Sequence, residues 1–177
     1  MYLTSKFVVL LMLPVLFLLG CSQPPTQRVP GTEVATESGR VVGVTGDEHV
    51  IHWQDIPFAL PHEGALRWRA PQPYRNAGSD IQPRESTICV QQAGAISETD
   101  GDTFVGSEDC LYLDVVAPTS ASEQWLPVMF WIHGGGNTSG TKDTYDFSAF
   151  AHDQQVVVVT VNYRLGPFGW LTHPSIQ

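Results

Sequence analysis

The run Val156-Val157-Val158-Val159-Thr160-Val161 narrows the folds open to this chain more than any other stretch. It is apolar on both faces, so a strand built from it belongs in the middle of a sheet that is covered on both sides. Upstream, Val128 to Ile132 is a second short run, aromatic and β-branched, which suits a buried strand. It ends one residue before the triplet Gly134-Gly135-Gly136. Between the two runs, Tyr145, Phe147, Ala149, Phe150 and Ala151 fit a short helix over Tyr145 to His152. Strand, loop, helix and strand in that order describe a crossover between parallel strands. The expected class is therefore α/β, with a mostly parallel central sheet.

Smaller strands are expected ahead of this unit. Short apolar alternations predict antiparallel strands at Val34 to Thr36, Arg40 to Val44 and His49 to Trp53, with a hairpin turn at Gly46-Asp47, and a further strand over Leu111 to Val116. Pro57, Pro61, Pro71 and Pro73 keep regular structure scarce between Ile56 and Tyr74, so that stretch reads as an ordered, packed loop.

The N-terminus is a separate matter. Lys6 precedes an apolar run from Phe7 to Leu19 that is too short for a permanent membrane span and is interrupted by Pro14, so residues 1–20 read as an export signal. Leu18-Leu19-Gly20-Cys21 resembles the bacterial lipobox, which makes Cys21 the expected lipidation site. Ser22 at the next position points to the outer membrane. Residues 21–32, with Pro24, Pro25 and Pro30, read as a flexible tether, and the domain is expected over 33–177. In an oxidising compartment the two remaining cysteines, Cys89 and Cys110, have one possible pairing and are expected as a disulfide.

Several function classes are disfavoured. A net charge of −9, with one lysine and seven scattered arginines beyond the signal, offers no basic face for nucleic acid. The acidic residues Glu98, Asp100, Asp102, Glu108 and Asp109 raise calcium, but an EF-hand loop starting at Glu98 needs glycine where Thr103 stands. No metal and no cofactor is expected. Nucleotide binding by the glycine loop fails on spacing. The dinucleotide fingerprint needs glycine where Ser139 stands, and the phosphate-binding loop needs Gly-Lys where Thr141 separates Gly140 from Lys142.

What remains is the oxyanion that forms when an acyl carbonyl is attacked. His133-Gly134-Gly135-Gly136 at a strand end matches the loop that supplies oxyanion donors in α/β-hydrolases. Five blocks then resemble, in order, the N-terminal third of a type-B carboxylesterase, the family that includes the cholinesterases. They are Ile56-Pro57-Phe58-Ala59, Leu66-Arg67-Trp68-Arg69-Ala70-Pro71, Ser107-Glu108-Asp109-Cys110-Leu111-Tyr112-Leu113-Asp114-Val115, Trp131-Ile132-His133-Gly134-Gly135-Gly136, and Val161 to Leu171.

The resemblance implies an α/β-hydrolase fold and hydrolysis of a small carboxylic ester through a serine acyl-enzyme. The N–H groups of Gly135 and Gly136 would stabilise the developing negative charge, with Gly134 shaping the loop. It also implies the Cys89–Cys110 disulfide and a buried ion pair between Arg67 and Glu108. His133 would shape the loop instead of acting as base, and Ser139 is not the nucleophile, because no Gly-x-Ser-x-Gly occurs in these residues. Two positions depart from the family pattern. Asn137 stands where many members carry an aromatic, and the loop between the cysteines has no tryptophan, which disfavours choline esters.

The family's serine, acid and histidine come after the last block, so these residues are expected to be an N-terminal portion that is inactive alone. A non-catalytic adhesion domain and a truncated, functionless product are the alternatives. The retained glycine triplet favours the enzyme.

Overall fold

The computed structural model describes residues 27–45, 49–84, 86–95, 103–122 and 125–176. The signal and lipidation readings at residues 1–21, the Gly46-Asp47 turn, and Glu98, Asp100 and Asp102 lie outside them.

Among the described residues, ten short strands and two short helices make up the regular structure, joined by isolated turns of 3-10 helix. In chain order the strands are β1 (Gln27–Arg28), β2 (Val34–Thr36), β3 (Gly39–Val41), β4 (Val44–Thr45), β5 (Val50–Pro57), β6 (Gln91–Gln92), β7 (Phe104–Val105), β8 (Tyr112–Pro118), β9 (Val128–Ile132) and β10 (Val157–Val161). The helices are α1 (Ser148–Gln154), between β9 and β10, and α2 (Gly166–Trp170). Six strands form one sheet in the order β1-β4-β5-β8-β10-β9, while β2 pairs with β3 and β6 with β7.

The sheet is mixed. β5 and β8 run antiparallel, as do β8 and β10, and the parallel part begins with the crossover β9–α1–β10. In that pair Val128 stands opposite Val157 and Ile132 opposite Val161, so both strands finish at the same edge. Whatever follows Ile132 and Val161 is brought together there, outside the carboxyl ends of parallel strands.

Several boundaries differ from the sequence expectation. The stretch read as one strand from Arg40 to Val44 is broken into β3 and β4 around Gly43, whose Cα is packed so closely against Ile51 and Thr32 that a Cβ would stand 2.4 Å from the Ile51 side chain. β5 runs on to Pro57, beyond Trp53, through a register shift between Trp53 and Ile56 where Asp55 takes φ +57°. The ordered fold also reaches back into the expected tether. Gln27 and Arg28 pair with Thr45 and Val44, and the Thr32 carbonyl accepts the Trp53 indole N–H at 2.8 Å. A two-residue edge pairing needs no apolar periodicity, which is why composition alone did not reveal it.

The crossover core joins Val50, Val116, Ala151, Val156 and Val158, with Met129 and Phe147 against it. Ala151 puts α1 directly on the sheet, and the helix stops at Gln155, which adopts the left-handed conformation (φ +51°) and donates back to Ala151 and His152. A second cluster surrounds the disulfide: Ala59, Cys89, Cys110, Leu111 and Leu165, with Phe58 and Tyr163. The valine run is covered more fully on one side. Val158 and Thr160 are buried, whereas Val157, Val159 and Val161 are half-buried.

β9 is the sheet's edge in the described residues, and Val128, Phe130 and Ile132 are all more than half exposed on one of its faces. An apolar edge strand is a template for association with another chain. The substitution Phe130→Lys should therefore shift the 177-residue chain from oligomers and aggregates toward monomer, as read by light scattering. Equal self-association of the two proteins contradicts this account of the edge.

Candidate active site

The site begins where β9 ends. His133 is buried and its ring stacks on Tyr163, with centroids 4.3 Å apart and planes 14° from parallel. The Tyr163 hydroxyl donates to the His133 carbonyl at 2.9 Å, and His133 Nδ1 lies 2.8 Å from the Gly134 carbonyl. β10 thus holds the entry to the loop through the residue two places beyond its end.

The loop then turns sharply. Gly135, Gly136 and Asn137 have φ of +101°, +60° and +63°, three successive residues in a region that L side chains disfavour. Asparagine tolerates that region, and here its carbonyl accepts the Gly166 N–H at 2.7 Å. The Gly135 carbonyl accepts the N–H groups of Thr138 (3.0 Å) and Ser139 (3.2 Å) and the Thr138 hydroxyl (3.0 Å). A Cβ on Gly135 would lie 2.0 Å from the Ser139 carbonyl oxygen, so only glycine fits. The Ser139 hydroxyl also turns toward the Gly135 carbonyl, 3.4 Å away.

While the carbonyl side of Gly135 is saturated, the donor side is open. Among the described residues no acceptor engages the N–H of Gly135 or of Gly136. The surroundings of Gly134 and Gly136 are open as well, with nothing within 4 Å of where a Cβ would be. Adjacent unpaired N–H groups in a fixed turn can hold a small anion or a developing negative oxygen. Gly134, Gly135 and Gly136, singled out from the sequence, come together here.

The loop closes at Gly140. Its N–H donates to Gln91 Oε1 at 2.8 Å and its carbonyl accepts Gln91 Nε2 at 2.9 Å. A Cβ there would stand 2.2 Å from His133 Nδ1. Two residues on, Lys142 is almost fully buried, with its ammonium 2.7 Å from Asp114, 2.9 Å from Asp143 and 3.2 Å from Asp55. Its backbone N–H donates to the buried Asn162 side chain at 2.7 Å, which in turn donates to the Thr87 carbonyl. Asp55 closes the network by donating its N–H to Asp114 at 2.8 Å and accepting the Arg84 N–H at 2.9 Å.

Gln91, Lys142, Asp55, Asp114 and Asn162 were not singled out from the sequence. One signal was available: Lys142 is the lone lysine beyond the N-terminal signal.

The other expected site residues lie beside the loop. Cys89 and Cys110 form a disulfide with Cα atoms 5.0 Å apart. The Arg67 guanidinium grips both carboxylate oxygens of Glu108. Among the described residues the Arg67 side chain is 39% exposed and that of Glu108 16%.

The model of the carboxylesterase family matches residues 30–176. The chain is 42% identical over 168 residues to a fumonisin B1 esterase of Sphingopyxis macrogoltabida, covering 91% of this chain and 30% of that protein. It is 42% identical over 143 residues to the para-nitrobenzyl esterase of Bacillus subtilis strain 168, covering 78% and 28%. Among solved structures, a thermophilic PNB esterase aligns with a TM-score of 0.72 and 39% identity, over 81% of this chain and 30% of that one. The Geobacillus stearothermophilus carboxylesterase EST55 aligns at 0.66 and 36% identity, over 79% and 28%. The chain thus has the α/β-hydrolase fold of these carboxylesterases and spans about 30% of the length of the curated relatives it matches.

The lysine cluster has a titration consequence. Three carboxylates surround one ammonium. Burial pushes the Asp114 carboxyl up to about 6 against the pull of Lys142, and Asp143 adds to the push. Burial also opposes charge on Lys142, but Asp114 and Asp143 outweigh it and hold the ammonium above its ordinary value. A carboxyl whose folded value is raised contributes stability that is complete below its unfolded value near 4 and is lost as pH rises through 6. Asp114→Asn should remove that loss. Thermal unfolding across pH 4 to 7 should show the wild type losing about 2 kcal/mol relative to the variant as pH rises; parallel curves contradict the placement of this titration.

Proposed function

The chain belongs to the carboxylesterase family, and on that premise we propose that it is the N-terminal part of a carboxylic ester hydrolase, with Gly134 to Gly136 as its oxyanion-binding loop. The observation that carries this reading is the pair of open N–H groups at Gly135 and Gly136, held in a turn in which the Gly135 carbonyl is saturated. Donors fixed before the reaction stabilise a tetrahedral intermediate more than they stabilise a planar ester, and this lowers the barrier without tightening ground-state binding.

On this reading the labour divides among the loop residues. Gly135 and Gly136 donate to the oxygen that gains charge, while Gly134 lets the backbone turn into position after His133. His133, stacked and buried with its Nδ1 at the Gly134 carbonyl, orients the loop and takes no part in proton transfer. The attacking serine and its acid and base partners are supplied by residues other than these 177, which contain no Gly-x-Ser-x-Gly. These residues alone do not turn over esters. The substrate is a small carboxylic ester, and no cofactor takes part.

The N-terminal segment gives this hydrolase an address. Lys6, the apolar run to Leu19 and the Leu-Leu-Gly-Cys sequence support export and lipid anchoring at Cys21, with the outer membrane as destination.

Two experiments test these readings. In the full-length product of the gene, Gly135→Val should lower kcat for a p-nitrophenyl ester by at least about 100-fold, the usual scale for losing one oxyanion donor. Activity near that of wild type, per serine titrated, contradicts the assignment. Cys21→Ser, expressed in a Gram-negative host, should lose incorporation of labelled palmitate and move from the membrane to the soluble fraction. Retained label places the lipid elsewhere.

A further inference from the structure

We infer that Gln91 is a positioning residue for ester turnover: its side-chain amide sets the closing end of the Gly134–Gly140 loop and so the aim of the Gly135 and Gly136 donors. This rests on the oxyanion reading above and extends it to a residue outside the loop. Gln91 lies in β6, two residues after Cys89, with Val105 of β7 opposite it, so it belongs to the small hairpin fixed by the disulfide. It is 2% exposed.

Three hydrogen bonds engage its amide, including both of its donors. Oε1 accepts the Gly140 N–H at 2.8 Å, and the two Nε2 hydrogens reach the carbonyls of Gly140 (2.9 Å) and Cys89 (3.1 Å). Gly140 is thereby gripped on both its donor and its acceptor, as a neighbouring strand would grip it, but by one side chain. Because both partners on Gly140 are backbone groups, the interaction fixes where the chain runs and not merely which residue sits there.

Gly140 is also in close contact with the start of the loop. Its Cα approaches so near that a Cβ would lie 2.2 Å from His133 Nδ1 and 2.8 Å from the Gly134 carbonyl. Any movement of Gly140 is therefore transmitted to His133 and Gly134, which precede the two donors directly. The loop is held at its entry by Tyr163, through the His133 carbonyl, and at its exit by Gln91, and it is also tied at Asn137 by the Gly166 N–H. Three successive residues between them lie in the left-handed region, a conformation that persists only when the surroundings impose it. Removing the exit anchor takes this partner from the half-buried N–H and carbonyl of Gly140 and from the buried carbonyl of Cys89, and lets the turn relax, with the donors turning away from the reacting oxygen.

The test uses the full-length product of the gene with Gln91→Ala and Gln91→Glu. The second variant keeps an acceptor for the Gly140 N–H but offers no donor to the two carbonyls. Active serine is titrated with an organophosphate so that kcat is expressed per competent site, and amide hydrogen exchange is read over residues 134–140. The expected result is a fall in kcat of about 10- to 100-fold, the scale on which displacements near 1 Å act. KM should move by less than about threefold, because ground-state binding is untouched. Exchange at Thr138 and Ser139, whose N–H groups bond the Gly135 carbonyl, should accelerate in both variants.

A kcat per site within about twofold of wild type overturns the inference, as does activity that falls only in step with folded protein, or failure of both variants to fold. The Gly135→Val protein separates the two levels. If that substitution abolishes turnover while the Gln91 variants keep theirs, only the role of Gln91 fails. If it leaves turnover intact, the oxyanion reading fails and hydrogen exchange alone decides whether Gln91 holds the loop.

Discussion

A single buried ammonium holds the working end of this fold together. Lys142 stands among Asp55 on β5, Asp114 on β8 and Asp143 on its own loop, and it is the segment just after the glycine turn that this charge ties to the sheet. Burying a charge is costly unless it is paired and hydrogen-bonded, and here three carboxylates meet that demand. The geometry explains a local oddity as well. The bulge that gives Asp55 its positive φ is what brings its N–H to Asp114 and its carboxylate to Lys142. The strand irregularity and the buried cation are one feature.

From that anchor the site follows with little freedom. β9 and β10 run parallel and end level, so the residues after Ile132 and after Val161 must meet. Asn162 binds the Lys142 backbone, Tyr163 binds His133, and the Gly166 N–H binds Asn137. The glycine turn is clasped from three sides: the strand that leads into it, the chain after β10, and the disulfide hairpin through Gln91. A loop so constrained can present two bare N–H groups without collapsing onto its own carbonyls. In an ester hydrolase of this family, that pre-arrangement is where the loop's contribution to rate would reside.

Local signals in the sequence carried the crossover unit. Val128 to Ile132 is the observed β9, and Val156 to Val161 overlaps β10 save for its first residue, because short runs of bulky, β-branched residues leave few alternatives. The glycine loop was legible as well, and the five family blocks added its chemistry. The helix begins three residues later than its apolar pattern predicts, because Tyr145 and Phe147 pack on Trp131 as aromatic contacts outside the helix. The β5 extension through Asp55 was hidden because it depends on a bulge whose partners lie 59 and 87 residues away, at Asp114 and Lys142. Gln91 was hidden on the same grounds. A buried amide that serves a distant backbone has no periodicity, and its partner, Gly140, lies 49 residues downstream.

The claim on which this account turns is that the Gly135 and Gly136 N–H groups meet the oxygen that bears charge in the reaction. The most direct measurement is a crystal structure of the full-length protein inactivated with a phosphonate ester, whose tetrahedral phosphoryl group mimics the attacked carbonyl. The account predicts a phosphoryl oxygen within about 2.7 to 3.1 Å of both glycine nitrogens, with the loop in the conformation described for the free chain. A phosphoryl oxygen bound by other groups, with both glycine N–H groups facing solvent or a rebuilt loop, contradicts it.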